Sequence, residues 1–309
     1  MVFNMSQNWK DAWRLMRIPF SIFLMPVFWL AVAVLPAGSW SVSNGIVVFC
    51  LLHLLIYPAS NGYNSLTDRD TTSIGGLENP PPVNLQLQIL VFIFDLVGLG
   101  LSFVVNLYFG FSVCVYWLAS RAYSSPKIRI KKYPFLSWFV VAFFQGGWTV
   151  LMVWAGLFGN WDWLSVPYQW IWPATALAFL AGTYPITQIY QHRADRERGD
   201  ITISILAGIR GTFYISMAGV FIGSALLVSG FWIAQWPDAI LVMALATLPT
   251  FLFFSGWMQK CFKNEENADF QHTMRFNQIS SICLSAGFIL LLMLKSWGIY
   301  IFLHPLQFT

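Results

Sequence analysis

Two stretches of this chain match each other and carry residues suited to metal and phosphate chemistry. Tyr57-Pro58-Ala59-Ser60-Asn61-Gly62-Tyr63-Asn64-Ser65-Leu66-Thr67-Asp68-Arg69-Asp70 recurs as Tyr184-Pro185-Ile186-Thr187-Gln188-Ile189-Tyr190-Gln191-His192-Arg193-Ala194-Asp195-Arg196-Glu197. The shared pattern is Y-P-x-[ST]-[NQ]-x-Y-[NQ]-x-x-x-D-R-[DE], and the second copy begins about 127 residues after the first. Asn61, Asn64 and Asp68 are spaced i, i+3, i+7 and therefore share one helical face; Gln188, Gln191 and Asp195 repeat the spacing. His53 and Tyr57 extend the first stripe deeper into the same helix. Amide and carboxylate oxygens are hard ligands, suited to Mg²⁺ and through it to phosphate oxygens. One such stripe is an ordinary polar helix end; two matching stripes argue for a function.

A third polar segment, Tyr123-Ser124-Ser125-Pro126-Lys127-Ile128-Arg129-Ile130-Lys131-Lys132, supplies cations. Arg129 and Lys131 lie two apart in a stretch expected to be extended after Pro126, so both could reach one anion. Lys127 and Lys132 need no role beyond topology. Asp95 sits alone in an apolar run; it is either a functional carboxylate or a structural one bonded to a neighbouring helix, and neither repeat copy contains it.

These groups must be held by membrane helices. Of the 309 residues 57% are hydrophobic and only 10% charged, whereas a soluble domain carries about 25% charge. A helix needs about 20 apolar residues to cross the hydrocarbon. Nine spans are expected, at 18–35, 45–60, 87–105, 107–122, 136–158, 170–189, 213–234, 239–258 and 280–303, with a tight turn near Asn106. The fold class is all-α and polytopic, with two pseudo-repeated four-helix units plus a ninth helix. Residues 1–309 form one membrane domain. The first motif ends the second span and the other ends the sixth, so both copies lie on one side, as a parallel duplication requires. With the N-terminus inside, every Lys and Arg except Lys295 falls on the cytoplasmic side or at a cytoplasmic helix end, which is the positive-inside signature. The net charge of +4 thus reports topology in a lipid bilayer and not nucleic-acid binding. Cys50, Cys114, Cys261 and Cys283 fall in or at the ends of apolar runs without paired spacing and read as small buried hydrophobes. The first apolar run lacks a small-residue cleavage site, so no cleavable signal peptide is expected.

Three segments together resemble the UbiA superfamily of intramembrane prenyltransferases. Asn64-Ser65-Leu66-Thr67-Asp68-Arg69, followed by Asn79-Pro80, is similar to that family's N-D-x-x-D-R-x-x-D and its later R-P. Gln188 through Asp195-Arg196-Glu197-Arg198-Gly199, with Thr202, is similar to N-x-x-D-x-x-x-D-R-x-x-G with a following Thr. Tyr123-Ser124-x-Pro126 with Arg129-x-Lys131 resembles the YS-x-P-x-x-R-x-K loop, and Arg17-x-Pro19 opens the first span as in the family. Where the family carries further acids, this chain has Ser65, Thr72 and Gln191, and Gln188 replaces an Asn. Asp68 and Asp195 keep the family register, while Asp70, Glu78, Glu197 and Asp200 supply acids out of register.

The resemblance implies nine helices and Mg²⁺-dependent transfer of a polyprenyl chain from its diphosphate to a lipophilic, often aromatic acceptor, as in quinone or related lipid biosynthesis. It implies Asp68, Asp195, Asn64 and Gln191 around the metal. Arg129, Lys131, Asn61, Gln188 and Tyr123 would hold the diphosphate, with Asp70, Glu197 and Asp200 as acidic neighbours. His53, Tyr57 and Tyr184 would face the acceptor. Two other readings stand beside this one: a secondary transporter with Asp95 as proton site, and a non-catalytic lipid-binding relative that has lost its acids. Against the transporter, the polar stripes lie at the cytoplasmic helix ends and not at the midplane.

Overall fold

The computed structural model describes residues 5–299, and no strand occurs among them. Helix α1 (Gln7–Ala33) is broken at Arg17, whose φ of 50° is left-handed, and continues through a 3-10 turn over Ile18–Leu24 that Pro19 helps to start. Helix α2 (Val42–Asp68) carries a π turn over Leu51–Ile56 and stops where Arg69 turns left-handed. Helices α3 (Leu85–Val105) and α4 (Leu107–Ser124) meet at Asn106, as expected. Asn106 is fully extended, and its side-chain oxygen accepts from Phe109 N at 2.8 Å, so one residue ends a helix and caps the next.

Helix α5 (Pro134–Phe158) contains a second π turn over Phe143–Gly147. Next come α6 (Ile171–Ile186), the short α7 (His192–Arg198) and α8 (Ile203–Ile233), which is interrupted at Gly208. Helices α9 (Pro237–Lys263) and α10 (Phe270–Ser296) complete the described chain. Among the described residues seven helices are long and apolar enough to cross a bilayer: α1, α2, α3, α5, α8, α9 and α10. The chain is thus an all-α, multi-pass membrane protein. The expected fourth and sixth spans correspond to α4, of 18 residues, and α6, of 16.

Several helices run past the expected spans, α1 starting at Gln7 and not 18 and α2 ending at Asp68 and not 60. The last helix starts at Phe270 and not at 280, because Asp269 caps it by accepting from His272 N at 2.7 Å. Its first turns are polar in sequence, yet they are helical because they face a cavity and the membrane surface and not hydrocarbon. Residues 300–303 of that expected span lie outside the described residues. Helix α8 likewise begins at Ile203, ten residues before the expected span, under a Thr202 cap.

The position of α6 governs the placement of the second repeat copy. Gly182 and Gly219 face each other between α6 and α8; a Cβ on Gly219 would lie inside contact distance of the Gly182 backbone. Small residues let membrane helices approach backbone to backbone, where dispersion replaces the missing hydrophobic drive. Near the opposite end of the bundle Trp154 Nε1, fully buried, donates to Ala31 O at 2.8 Å, which ties α5 to α1. Lys295 Nζ donates to the carbonyls of Ala33 and Leu35 at 2.6 and 2.9 Å, capping the open end of α1.

Ser39 and Lys127 are both exposed and sit at opposite ends of the bundle. Single cysteines at these two positions, in a background with the four native cysteines replaced by alanine, are expected to be labelled by a membrane-impermeant maleimide from opposite sides of sealed vesicles, with Lys127 on the cytoplasmic side. Labelling of both from one side would refute the orientation.

Candidate functional site

Asn61, Asn64 and Asp68 do share one face of α2, and all three line a cavity of about 210 Å³ at the end of the bundle that carries most of the Lys and Arg. Asn64 Nδ2 donates to Asp68 Oδ2 at 2.8 Å and to Ser124 Oγ at 3.1 Å, which orients the carboxylate. Gln188, Gln191 and Asp195 line the same cavity from the other side, so the two motif copies face each other. The second copy is not the continuous helix that its spacing suggests. Pro185 lies one residue before the end of α6, and a 3-10 turn over Ile189–Gln191 precedes α7. Pro58 in the first copy is tolerated because it follows directly on the π turn, where the hydrogen-bond ladder already shifts.

Arg129 and Lys131 are not in an extended stretch either. Arg129 is left-handed at φ 51°, and Ile130–Lys132 form a 3-10 turn. A non-glycine residue held there costs about 1 kcal/mol, and the turn aims both cations at the carboxylates. Arg129 Nε and Nη2 donate to the two oxygens of Asp200 at 3.0 and 2.8 Å. Lys131 pairs with Asp68 and stands 3.7 Å from Asp200. Asp200 comes into the site because Gly199 ends α7 at φ 76°, and the Asp200 amide then bonds back to Asp195 O at 2.9 Å. Asp70 also lines the cavity, and Arg198 bridges Asp70 and Asp195, donating to Asp195 Oδ1 at 2.7 Å.

Among the described residues four carboxylates (Asp68, Asp70, Asp195, Asp200) line this cavity, with Arg17, Lys131 and Arg198 on its wall and Arg129 paired at its edge. Each of the four acids is ion-paired. Arg17 is buried and holds the first motif through its backbone and side chain: its guanidinium donates to Asn61 O at 2.8 Å, Asn64 Oδ1 at 3.3 Å and Gly75 O at 3.3 Å. Tyr123 and Tyr184 share a hydroxyl–hydroxyl hydrogen bond on the cavity wall, and Gln188 Nε2 donates to the Tyr184 hydroxyl at 3.0 Å. The Gln188 carbonyl oxygen is buried and has no hydrogen-bond partner.

Three expectations are corrected. Glu197 is outside the site: it is exposed and pairs with Arg193, one turn away on the outer face of α7. His53 is a core residue, absent from the cavity wall; it is stacked on Phe49, with Nδ1 3.1 Å from Ser21 O. The π turn over Leu51–Ile56 rotates it off the stripe that ideal helix spacing would continue. Glu78 is exposed and does not line the cavity. Asp95 pairs with Arg121, whose guanidinium also lies 4.0 Å from the centre of the Tyr63 ring, so it is tied into helix packing.

Beneath the charged chamber lies a second one of about 230 Å³ between α1, α6 and α10. Both chambers are lined by Phe20, Ser60, Asn61, Tyr116, Gln145 and Tyr184, so they adjoin. Tyr57 and Tyr184 line the lower chamber. The sequence reading did not single out Arg198, Gln145, Tyr190 or Asn277 for the site. Arg198 stands inside the second motif and could have been found there; Gln145 and Asn277 lie in apolar or loop-like stretches that carry no motif.

Comparison with known proteins agrees with this architecture. A family model described as the UbiA prenyltransferase family matches residues 23–282. A UbiA homolog from Aeropyrum pernix K1, solved in its apo form, is 18% identical with a TM-score of 0.69, over 88% of this chain and 98% of that one. A UbiA homolog from Archaeoglobus fulgidus bound to GPP and Mg²⁺ is 16% identical with a TM-score of 0.63, over 92% and 99%. A digeranylgeranylglyceryl phosphate synthase is 16% identical with a TM-score of 0.59, over 93% and 99%. At such identities the likeness establishes the fold. A search of curated proteins found no match.

Burial and the neighbouring Asp200 push the Asp195 carboxyl up to about 7, against the pull of Lys131. A carboxyl raised in the folded state leaves stability intact below its unfolded value near 4 and removes it as the pH rises through about 7. The melting temperature of the wild type relative to Asp195→Asn is therefore expected to fall between pH 4 and pH 7 and to level off above pH 8. The full difference amounts to a few kcal/mol at most, since a tenfold change in proton affinity is worth about 1.4 kcal/mol. A difference that grows in favour of the wild type with rising pH would contradict this assignment.

Proposed function

Because the chain belongs to the UbiA prenyltransferase family, we propose that it is an intramembrane, Mg²⁺-dependent prenyltransferase that moves a polyprenyl group from its diphosphate to a lipophilic acceptor. The observation that carries this reading is the two-part cavity: a charged chamber at the membrane surface adjoins a chamber whose wall carries no charged side chain, within the bundle. That is the shape of a substrate with a diphosphate head and a hydrocarbon body. The related Archaeoglobus fulgidus homolog was solved with GPP and Mg²⁺, which supports the same chemistry here.

The donor set suits Mg²⁺. Among the described residues no three His, Cys, Asp or Glu side chains stand close enough to hold a metal by themselves. Mg²⁺ keeps several waters and takes its remaining oxygens from one or two carboxylates and the substrate phosphates, so Asp68 and Asp195 with Asn64 and Gln191 suffice. The unpartnered Gln188 oxygen adds a neutral acceptor of the right kind. When bound, the metal would neutralise charge on the leaving diphosphate.

The protein's own residues then do the rest. Lys131 and Arg129, now closed onto Asp68 and Asp200, are placed to exchange those carboxylates for diphosphate oxygens, with Asn61, Gln188 and Tyr123 as neutral partners. The allylic C–O bond breaks with its electron pair leaving on the diphosphate. The acceptor nucleophile bonds to the allylic carbon and loses its proton to the released diphosphate. Tyr57, Tyr116, Tyr184 and Phe20 line the uncharged chamber and would shield the cation from water. We further read residues 1–309 as one membrane domain built on a parallel repeat, with the N-terminus and the site in the cytoplasm.

The test is Mg²⁺-dependent release of diphosphate from a labelled prenyl diphosphate by protein in nanodiscs. Asp68→Asn and Asp195→Asn are each expected to lower turnover at least about 100-fold, because each removes one of few anionic ligands. Asp95→Asn is expected to keep turnover and to lose thermal stability, since Arg121 is then left without its counter-ion. Full activity in either repeat-aspartate variant would refute the metal assignment. Counterflow of substrate without chemistry would identify a transporter.

A further inference from the structure

The lower chamber contains no Asp, Glu, Lys, Arg or His among its described lining residues. Its walls are apolar side chains such as Val27, Leu30, Phe179, Leu284 and Phe288. Uncharged polar groups, among them Asn61, Gln145 and Asn277, interrupt them, and Asn277, on α10, is set apart by its amide nitrogen. It is 7% exposed, it lines the chamber, and its Nδ2 has no hydrogen-bond partner. A buried donor left unsatisfied costs about 1–3 kcal/mol, so an amide here calls for a ligand. Its neighbours are committed differently. Ser280 Oγ donates to Asn277 O at 3.1 Å, and Ser281 Oγ donates to Phe23 O at 3.5 Å. Their protons are spent on backbone carbonyls, while their oxygens still accept. The wall beside α10 therefore offers an unpartnered amide donor next to two acceptor oxygens, and the Tyr57 hydroxyl, also unpartnered, lines the same chamber.

That inventory discriminates between occupants. An isoprenoid tail has no polar atom and would leave the Asn277 donor stranded. A carboxylate would enter an apolar chamber without a counter-cation, which is far costlier than burying a neutral polar group. A neutral hydroxyl accepts from the amide and donates to a serine oxygen, and so satisfies both sides.

We propose that Asn277 selects the acceptor: an uncharged, hydroxyl-bearing lipophilic molecule docks between α1, α6 and α10, its hydroxyl oxygen accepting from Asn277 Nδ2. The word acceptor rests on the prenyl-transfer reading above. The lower chamber shares Asn61 and Tyr184 with the charged chamber, so a ring held by Asn277 lies on the route to the reacting carbon.

The experiment measures equilibrium binding of tritiated 2-naphthol and of 2-naphthoate to the full chain in nanodiscs, with empty nanodiscs subtracted, and in parallel the Kd for geranyl diphosphate with Mg²⁺. The wild type is expected to favour naphthol over naphthoate by at least about tenfold. Asn277→Leu is expected to lower naphthol affinity about five- to tenfold, the worth of one hydrogen bond, and to leave the geranyl diphosphate Kd in place. Asn277→Ser, smaller and still a donor, keeps the neutral-over-charged preference and covers the case in which the leucine variant does not fold. Unchanged naphthol binding in a folded leucine variant overturns the proposal, as does equal binding of naphthoate by the wild type. A weakened geranyl diphosphate Kd in the leucine variant also overturns it, because the tail then occupies this chamber. The naphthol measurement needs neither diphosphate nor turnover. Asn277-dependent naphthol binding in a protein that transfers no prenyl group would sink the enzymatic reading and uphold the site.

Discussion

Everything at the membrane-surface end of this bundle depends on the pairing of charges removed from water. Among the described residues, Asp68, Asp70, Asp195 and Asp200 are gathered in one cavity, and Asp195 and Asp200 are themselves buried. Four carboxylates so placed repel one another and lose solvation unless cations accompany them. Lys131, Arg129 and Arg198 do so, and each is shared between two acids. The backbone bends to permit it. Arg17, Arg69 and Arg129 all adopt the left-handed conformation that side chains avoid, and all three belong to the segments that build the cavity. Strain of this kind persists only where the surroundings over-determine it, and it collects at functional sites.

This arrangement also explains how few anionic ligands can suffice. The site is electrostatically closed on itself: the acids face the bases. Under the proposed function, a diphosphate with its metal would offer both partners at once, its oxygens to Lys131 and Arg129 and the metal to the carboxylates. Such an exchange of one set of ion pairs for another would avoid leaving a buried charge bare. The raised Asp195 fits the same picture, because burial and the neighbouring Asp200 disfavour its charge while Lys131 favours it.

The uncharged chamber follows from a different constraint. In hydrocarbon every backbone group must be bonded within the helices, so polar side chains that remain free are there for something other than folding. Most hydroxyls in the bundle return to a carbonyl three or four residues back, as Thr175, Thr183 and Thr247 do. Asn277 does not bond back in this way, and it stands on the wall of the uncharged chamber.

The sequence by itself determined the solvent, the helical class and the location of the site. Its scarcity of charge excludes a water-facing surface, its one-sided Lys and Arg mark one end of the bundle, and its repeated motif names Asp68 and Asp195. These are properties of composition and motif identity, and they do not depend on the breaks that folding introduces within the second copy. Only the tertiary structure decided which further residues take part. Asp200 enters because Gly199 reverses the chain, and Glu197 leaves because α7 turns it outward, although both are acids within five residues of Asp195. His53 lies on the expected stripe for an ideal helix, yet the π turn rotates it into the core. Gln145 and Asn277 come from α5 and α10, far from either motif, and meet the site only through helix packing. Spacing within one helix is a local rule of 3.6 residues per turn. Which faces of different helices converge depends on close approaches such as Gly182 on Gly219, and no single segment encodes that.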